Sequence, residues 1–422
     1  MMHRVVVTGL GICAPNGVGL NDFSRAMRQG RSGIRHIPKL AEHGFSCQLG
    51  ALPDISDDMM GSYFSPLEQR GLNATGLVYG VIAGMQAWED AGLTAAPDEV
   101  ADWDSGICFG TGMLGADKFR EAILLVDQGK TRRLGSSTVP QTMASGISAW
   151  LAGKLGCGNQ VSTNSSACST GTEAVYLAME RIRQGKARRM LAGSCSDSGP
   201  YIWGGFDAMR ILSSASPESP SEACRPFSAS ATGFVPGSGA GALVLESLES
   251  ARERGARIYA EVLGGAVNSG GQRGGGSMTA ASDIGIQRCI RGALTDAGIP
   301  ASAVDVINGH LTATTRDPDE IRNWCEALGR TGAAFPLINS FKDVLGHGLA
   351  ASGSMECVAA LLQMAEGCVY GNTNASDLHP EIQRLVHADC IPLESRKHEP
   401  GIIAKASFGF GDVNSCIIFS AI

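Results

Sequence analysis

The chain is short of several things, and each shortage closes off a class of function. No C-x-x-C pair occurs among its 13 cysteines, and they lie scattered inside apolar runs such as Gly106–Gly110 and Ser415–Phe419. That pattern reads as reduced core thiols and not as a disulfide frame or a metal cluster. No long basic run appears and the net charge is −7, which argues against a nucleic-acid partner. No apolar stretch approaches 18 residues and no secretory signal precedes the first apolar run at Arg4–Thr8. The chain therefore reads as a cytoplasmic protein with no membrane insertion.

What is present suits a large α/β unit. Apolar residues make up 44% of 422 positions, enough for a sizeable core, and 56 glycines suit many tight strand-to-helix turns. Buried-strand runs at 4–12, 104–112, 160–163, 189–194 and 239–247 alternate with helical patterns at 75–92, 141–156 and 173–183. The order then starts again: strands near 258–266, 304–310, 337–340, 402–407 and 416–421, with helices at 281–298, 317–328 and 350–366. Alternation of this kind implies mainly parallel, doubly covered sheets in two halves, 1–250 and 251–422. No repeat is visible in the letters.

Cys168 is the most informative residue. It sits in Asn164–Thr172 (NSSACSTGT), followed at once by the amphipathic run Glu173–Arg183. That places a thiol at a helix N-terminus, where free amides and the helix dipole favour thiolate. Small neighbours let a substrate approach, as a nucleophile for thioesters needs. Two further segments share its character: Ile307–Thr314 (INGHLTAT) with His310, and Asn339–Glu356 (NSFKDVLGHGLAASGSME) with Lys342, His347 and Glu356. One Cys and two His at strand ends suggest a single site.

These segments resemble the β-ketoacyl-acyl carrier protein synthases, the elongating ketosynthases of the thiolase superfamily. Further matching runs are Arg4–Gly11 (RVVVTGLG), Gly204–Ser213 (GGFDAMRILS), Cys224–Ser228 (CRPFS), Thr232–Gly241 (TGFVPGSGAG) and Phe408–Asn414 (FGFGDVN). The resemblance implies a five-layered α-β-α-β-α fold of two similar halves. It implies decarboxylating Claisen condensation of an acyl group on Cys168 with malonyl-carrier protein, without metal or redox cofactor. His310 and His347 then hold the enolate, Lys342 orders the site with Glu356, and the backbone amides of Cys168 and Phe408 receive the oxyanion. Phe408 gates the acyl pocket. Asp317 and Glu320 fall near supporting acidic positions. Met113, Phe206, Leu311, Thr312 and Thr314 are expected to line the substrate pocket. The implied partners are acyl- and malonyl-carrier proteins and a second copy of the chain; a heterodimer with a catalytically silent, chain-length-factor-like homologue stays open. The densest basic cluster, Lys130, Arg132 and Arg133, reads equally as a solvated loop or a carrier-docking patch.

Three departures from the family pattern bear on substrate. Leu311 stands where the family has Gly after its first histidine, Phe341 where it has Thr before the lysine, and Asp412-Val413 where it has Gly-Thr. Their bulk leads to the expectation of a reshaped acyl or malonyl pocket, and keeps open a specialised ketosynthase of an aryl polyene or related polyunsaturated pathway.

Overall fold

The computed structural model describes residues 2–422. Ten strands run in one continuous path, and an eleventh, short strand pairs off it. In the first half the strands are β1 (Val5–Ala14), β2 (Ser105–Thr111), β3 (Val161–Ser162), β4 (Arg189–Ser196) and β5 (Gly239–Ser247). In the second half they are β6 (Ala260–Ser269), β7 (Val306–Asn308), β8 (Leu337–Asn339), β9 (Ile402–Gly409) and β10 (Val413–Ser420). Read from its outer edge, the first half runs β3-β2-β4-β5-β1 and the second β8-β7-β9-β10-β6. The two orders are the same once each half is counted from its own first strand. The halves join where Val5–Val7 of β1 pair antiparallel with Ala260–Val262 of β6.

The sheet is mixed and not mainly parallel. The β2–β3, β2–β4, β7–β8 and β7–β9 pairings are parallel, while β4–β5, β1–β5, β1–β6, β6–β10 and β9–β10 are antiparallel. The reason is local. Each half ends in a strand that returns directly beside its predecessor, most tightly at the β9–β10 hairpin, where Gly409 pairs with Val413. That hairpin can only be antiparallel, whereas β5 comes back beside β4 after residues 197–238, which include the helix Pro200–Ala208.

Helices complete five layers. Outside the first half, α1 (Thr75–Asp90) packs on β1, β4 and β5. Outside the second, α3 (Asp283–Ala297) covers β6 and β10 and packs on α4 (Asp317–Leu328). Between the sheets lie α2 (Thr170–Arg183) and α5 (Ser352–Glu366). Residues 352–363 of α5 are all buried, the polar Ser352, Ser354, Glu356 and Gln363 among them. A shared apolar cluster joins Ala174, Val175, Ala178 and Met179 of α2 to Val358, Ala359 and Leu361 of α5. Among the described residues no helix is long and apolar enough to cross a membrane.

The central helices reveal a repeat the letters conceal. Each follows the third strand of its half, and each is entered through a tight helical turn, Ala167–Ser169 before α2 and Leu349–Ala351 before α5. The first residue of each turn takes a left-handed backbone, Ala167 at φ 49° and Leu349 at φ 53°. The paired letters are Ala-Cys-Ser-Thr-Gly-Thr and Leu-Ala-Ala-Ser-Gly-Ser, so Ala350 is the counterpart of Cys168.

Candidate active site

Cys168 lies on the turn before α2 and is 8% exposed. The turn is fixed from several sides. Thr170 Oγ1 donates to Ala167 O at 2.7 Å and accepts from Ser166 N at 2.9 Å. Ser169 Oγ reaches both Ser407 O and Val413 O at 3.0 Å, tying the turn to the β9–β10 hairpin. Gly409 lies directly against it: a Cβ there would stand 3.1 Å from Cys168 N and 3.2 Å from Ser166 O. Only a residue without a side chain lets the hairpin come this close.

The resting sulfur is a thiol. Burial pushes its pKa up to about 11, against the opposing pull of the Lys342 ammonium and the Phe410 amide. The pull towards thiolate expected from the helix entrance is outweighed here by desolvation.

His310 follows β7. Glu320 accepts from His310 N and from Leu311 N, both at 2.7 Å. Asp317 accepts from Thr312 N at 3.0 Å, Ala313 N at 3.2 Å and Phe227 N at 3.1 Å. These buried acids at the start of α4 hold a loop in which Leu311 (φ 20°) and Ala313 (φ 60°) both take positive φ. Burial, the largest influence, pushes Asp317 up to about 7, while the backbone amides pull it down. Neither ring nitrogen of His310 hydrogen-bonds to another described group, and its Nδ1 is buried without a partner.

His347 comes from the loop between β8 and α5. The Leu349 amide donates to its Nδ1 at 3.3 Å, so Nδ1 is an acceptor and the ring proton sits on Nε2. Ser352 Oγ lies 2.9 Å from the same Nδ1. The two imidazoles stand edge to face, centroids 5.4 Å apart, with Phe234 against His347 at 5.0 Å. Burial first, and then the Lys342 charge, hold both pKa values well below 6.5, so both rings are neutral.

Cys168 Sγ and one ring nitrogen from each histidine lie within 4.8 Å of one another. The same trio could in principle ligate a metal, but an ion there would occupy the lone pairs that sulfur chemistry needs. The three residues form the base of a cavity of about 400 Å³ whose walls include Thr312, Thr314, Phe408 and Phe410. Phe206 adjoins it, 5.8 Å from Phe234 and 6.0 Å from Phe410. Below the histidines, Lys342 Nζ pairs with Glu356 Oε1 at 2.5 Å, both residues buried.

Several expected roles move. Phe408 is still within β9, paired with Asn414, whereas the amide facing Cys168 Sγ belongs to Phe410. Leu311 is 1% exposed within the core of the second half and lies outside the cavity lining. Phe341 packs on Tyr370, centroids 6.0 Å apart, in the core between the sheets. Val413 is a hairpin residue facing Gly409. None of the three departures lines this cavity. Met113 also lies outside it, 58% exposed on the single chain.

Lys405 escaped the sequence reading, and Asp412, noted there only as a departure, has a role it did not foresee. Lys405, wholly buried in β9, stands 2.8 Å from Glu356 Oε2. Asp412, at φ 61° and wholly buried, accepts from Gln272 N at 2.9 Å and Ser282 N at 2.8 Å, strapping the glycine-rich segment 270–282 to the hairpin. The signal for Lys405 was available: a lone charge inside an apolar strand run is rarely buried without purpose.

Comparison with known proteins bears on this geometry. The family described as "Beta-ketoacyl synthase, N-terminal domain" matches residues 2–251, and "Beta-ketoacyl synthase, C-terminal domain" matches 259–376. The chain is 35% identical to the 3-oxoacyl-[acyl-carrier-protein] synthase I, chloroplastic, of Arabidopsis thaliana, over 99% of this chain and 86% of that protein. A solved complex of the type II polyketide acyl-carrier protein AntF with its ketosynthase AntDE contains a chain that superposes with a TM-score of 0.85 at 30% identity, covering all of both chains. The ishigamide ketosynthase/chain length factor gives 0.88 at 27% identity, again covering all of both chains.

Proposed function

The chain belongs to the β-ketoacyl synthase family, and from that membership we propose how its residues divide the reaction. The enzyme is an acyltransferase that forms a carbon–carbon bond: an acyl group condenses with malonyl-acyl carrier protein, carbon dioxide leaves, and β-ketoacyl-carrier protein is released, in fatty acid or polyketide-type elongation. The observation that supports the site assignment is the approach of Cys168 Sγ and the two imidazoles to within 4.8 Å at the cavity base.

In the proposed sequence, Cys168 Sγ attacks the incoming thioester carbonyl and loses its proton, which passes to the departing carrier thiolate. The amides of Cys168 and Phe410 receive the oxyanion. Malonyl thioester then enters beneath Thr312 and Thr314. Its carboxylate leaves as carbon dioxide, and the electron pair of the broken bond moves into an enolate. The enolate oxygen accepts from His347 Nε2–H and from His310. The enolate carbon attacks the acyl-Cys168 carbonyl, and collapse expels the Cys168 thiolate, which is reprotonated. Phe410, packed against Phe206 at the cavity wall, takes the gating role first given to Phe408. With Leu311, Phe341 and Val413 outside the lining, these three departures give no support to a pocket specialised for a conjugated chain.

The partner reading is acyl carrier protein together with a second copy of this chain. Two features support the second copy. The strand β3 ends the sheet with one edge unpaired. Around that half stand exposed Met113, Phe119, Ile123, Val126 and Val161, apolar groups that a partner would cover. Light scattering giving a monomer, or a stable complex only with a different homologue, would overturn the homodimer.

The site assignment is tested by substitution. Cys168→Ala abolishes acylation and condensation, whereas Cys168→Gln continues to decarboxylate malonyl-carrier protein. His310→Ala and His347→Ala still acylate Cys168 but decarboxylate about 10²–10³-fold more slowly, the usual cost of one oxyanion donor. Condensation at the wild-type rate by Cys168→Ala, or normal decarboxylation by both histidine variants, would overturn the roles given.

A further inference from the structure

We propose that Lys405 is a positioning residue of the condensing site, a second buried ammonium that shares Glu356 with Lys342 and ties the histidine side of the cavity to the turn carrying Cys168. The inference rests on the decarboxylating reading above and adds to it a residue with no assigned role.

The geometry is a continuous buried chain. Lys342 Nζ meets Glu356 Oε1 at 2.5 Å, and Glu356 Oε2 lies 2.8 Å from Lys405 Nζ. Lys405 Nζ also donates to Ala406 O and, at 3.1 Å, to Ser407 Oγ. Ser407 Oγ is 2.9 Å from Thr172 Oγ1, and Ser407 O accepts from Ser169 Oγ at 3.0 Å. One end of the chain is thus five residues before His347 and the other is next to Cys168. On β9, Lys405 is in register with Asn308 of β7, two residues before His310. A side chain in this position sets both ring positions and the nucleophile turn at once.

The charge count gives the chain a second effect. Two ammoniums face one carboxylate, leaving one positive charge buried in the trio. The other buried acids nearby are engaged elsewhere. Glu320 and Asp317 accept from the 310–314 backbone, and Asp343 accepts from Thr373, with burial pushing Asp317 and Asp343 up to about 7. Cys357 and Cys416, which feel the Lys405 charge, stay neutral thiols, pushed up to about 12 by burial. Cys224, which feels the Lys342 charge, is likewise pushed up to about 12 by burial. The other titratable groups lining the cavity are the two imidazoles, Cys168, Asp283, Arg316 and Asp319. An uncompensated buried charge is costly unless an opposite charge arrives. The malonyl carboxylate and then the enolate are such charges, delivered directly above. Until they arrive, burial first, then the Lys342 charge and, after it, the Lys405 charge oppose protonation of His347 and His310.

The test uses Lys405→Met, which keeps an unbranched stem as far as Cε, removes the charged Nζ and leaves Lys342 and Glu356 unchanged. In the Cys168→Gln background with malonyl-carrier protein, kcat for decarboxylation falls about tenfold and KM is unchanged. The acid limb of the pH profile moves up by about one unit, a tenfold change in imidazolium at a given pH. A fall in Tm with the limb unmoved, or an unchanged kcat, would make Lys405 a purely structural residue and overturn the proposal. Lys405→Gln gives the same readouts if the Met variant does not fold. In the unaltered enzyme, the ¹⁵N resonance of Lys405 Nζ at neutral pH must be that of an ammonium; a neutral amine there would also overturn it. If Cys168→Gln with Lys405 intact does not decarboxylate, the decarboxylating function itself fails, a result separable from any effect at Lys405.

Discussion

Gly171 and Gly353 face each other where the two central helices begin, each occupying the space a side chain on the other would need. A Cβ on Gly171 would lie 2.3 Å from Ser354 N, and one on Gly353 would lie 2.6 Å from Thr172 N. The obstacles are backbone atoms, which cannot swing aside. Cys168 and His347 stand on the approaches to these two helix starts, so their separation is set by this contact.

Gly353→Ala tests that dependence. Overpacking a filled core costs about 1–3 kcal/mol, and a clash with backbone puts this site at the upper end. Urea unfolding should show the loss, and acylation of Cys168 should slow in the fraction that stays folded. An unperturbed midpoint with full activity would mean the helices part without consequence.

The pH dependence has a definite sign. His310 and His347 have folded pKa values held well below 6.5. The unfolded chain therefore binds protons more readily, and the stability tied to these rings is present above pH 6.5 and lost as pH falls below it. Asp317 and Asp343, raised to about 7, act in the opposite direction. The comparison that isolates the histidines is the wild type against a His310→Phe, His347→Phe double variant. Between pH 7.5 and 5.5 the unfolding midpoint should drop further in the wild type. With the Cys168 thiol at about 11, alkylation by iodoacetamide should rise about tenfold per pH unit from pH 7 to about pH 10. A plateau near pH 8 would mean a thiolate at rest.

Asp412 holds the strap 270–282 through the amides of Gln272 and Ser282. Thr279, Ala280 and Ala281 of that strap line the cavity. Asp412→Gly relieves the backbone at φ 61° but removes both acceptors, each worth about 1.5–3 kcal/mol when charged. Amide exchange across 270–282 should accelerate and KM for malonyl-carrier protein should rise, while exchange in β9 stays slow. Unchanged exchange in the strap would remove Asp412 from that role.

Leu311→Ala separates core from pocket. Leu311 packs in the core of the second half, so its truncation should cost about 2–5 kcal/mol. Competition between saturated and polyunsaturated acyl-carrier proteins for Cys168 should be unaffected. A shifted acyl preference at unchanged stability would return Leu311 to the pocket.

The sequence disclosed those residues whose chemistry restricts their neighbours. Cys168, His310 and His347 sit among small residues because a substrate must come close, and that restriction is visible in the letters. Direction is not visible. Leu311 and Phe341 adjoin site residues in the chain, yet their side chains turn into two different cores. Phe408 and Phe410 are two apart and share a face by strand periodicity. Which of them lies beyond the ladder depends on β9 ending at Gly409, a boundary that pairing decides. Lys405 sits in an apolar run, and only the arrival of Glu356 from α5 explains a charge there. Parallel alternation was over-read because the β9–β10 hairpin leaves no helix between strands to count, and because the return from β4 to β5 carries a helix and is antiparallel all the same.

The matching turns at Ala167–Ser169 and Leu349–Ala351 mean that the scaffold holds two seats for a nucleophile and fills one. Ala350 occupies the second. Its blandness is useful: with no competing sulfur there, the loop before it is free to present His347 across the symmetry axis to the occupied seat. The two halves thus became unequal partners in one reaction while keeping the same architecture. Neither could be inherited without the other and still be an enzyme, since a chain cut between β5 and β6 would leave a sulfur with no enolate holder on one side and two imidazoles with nothing to acylate on the other.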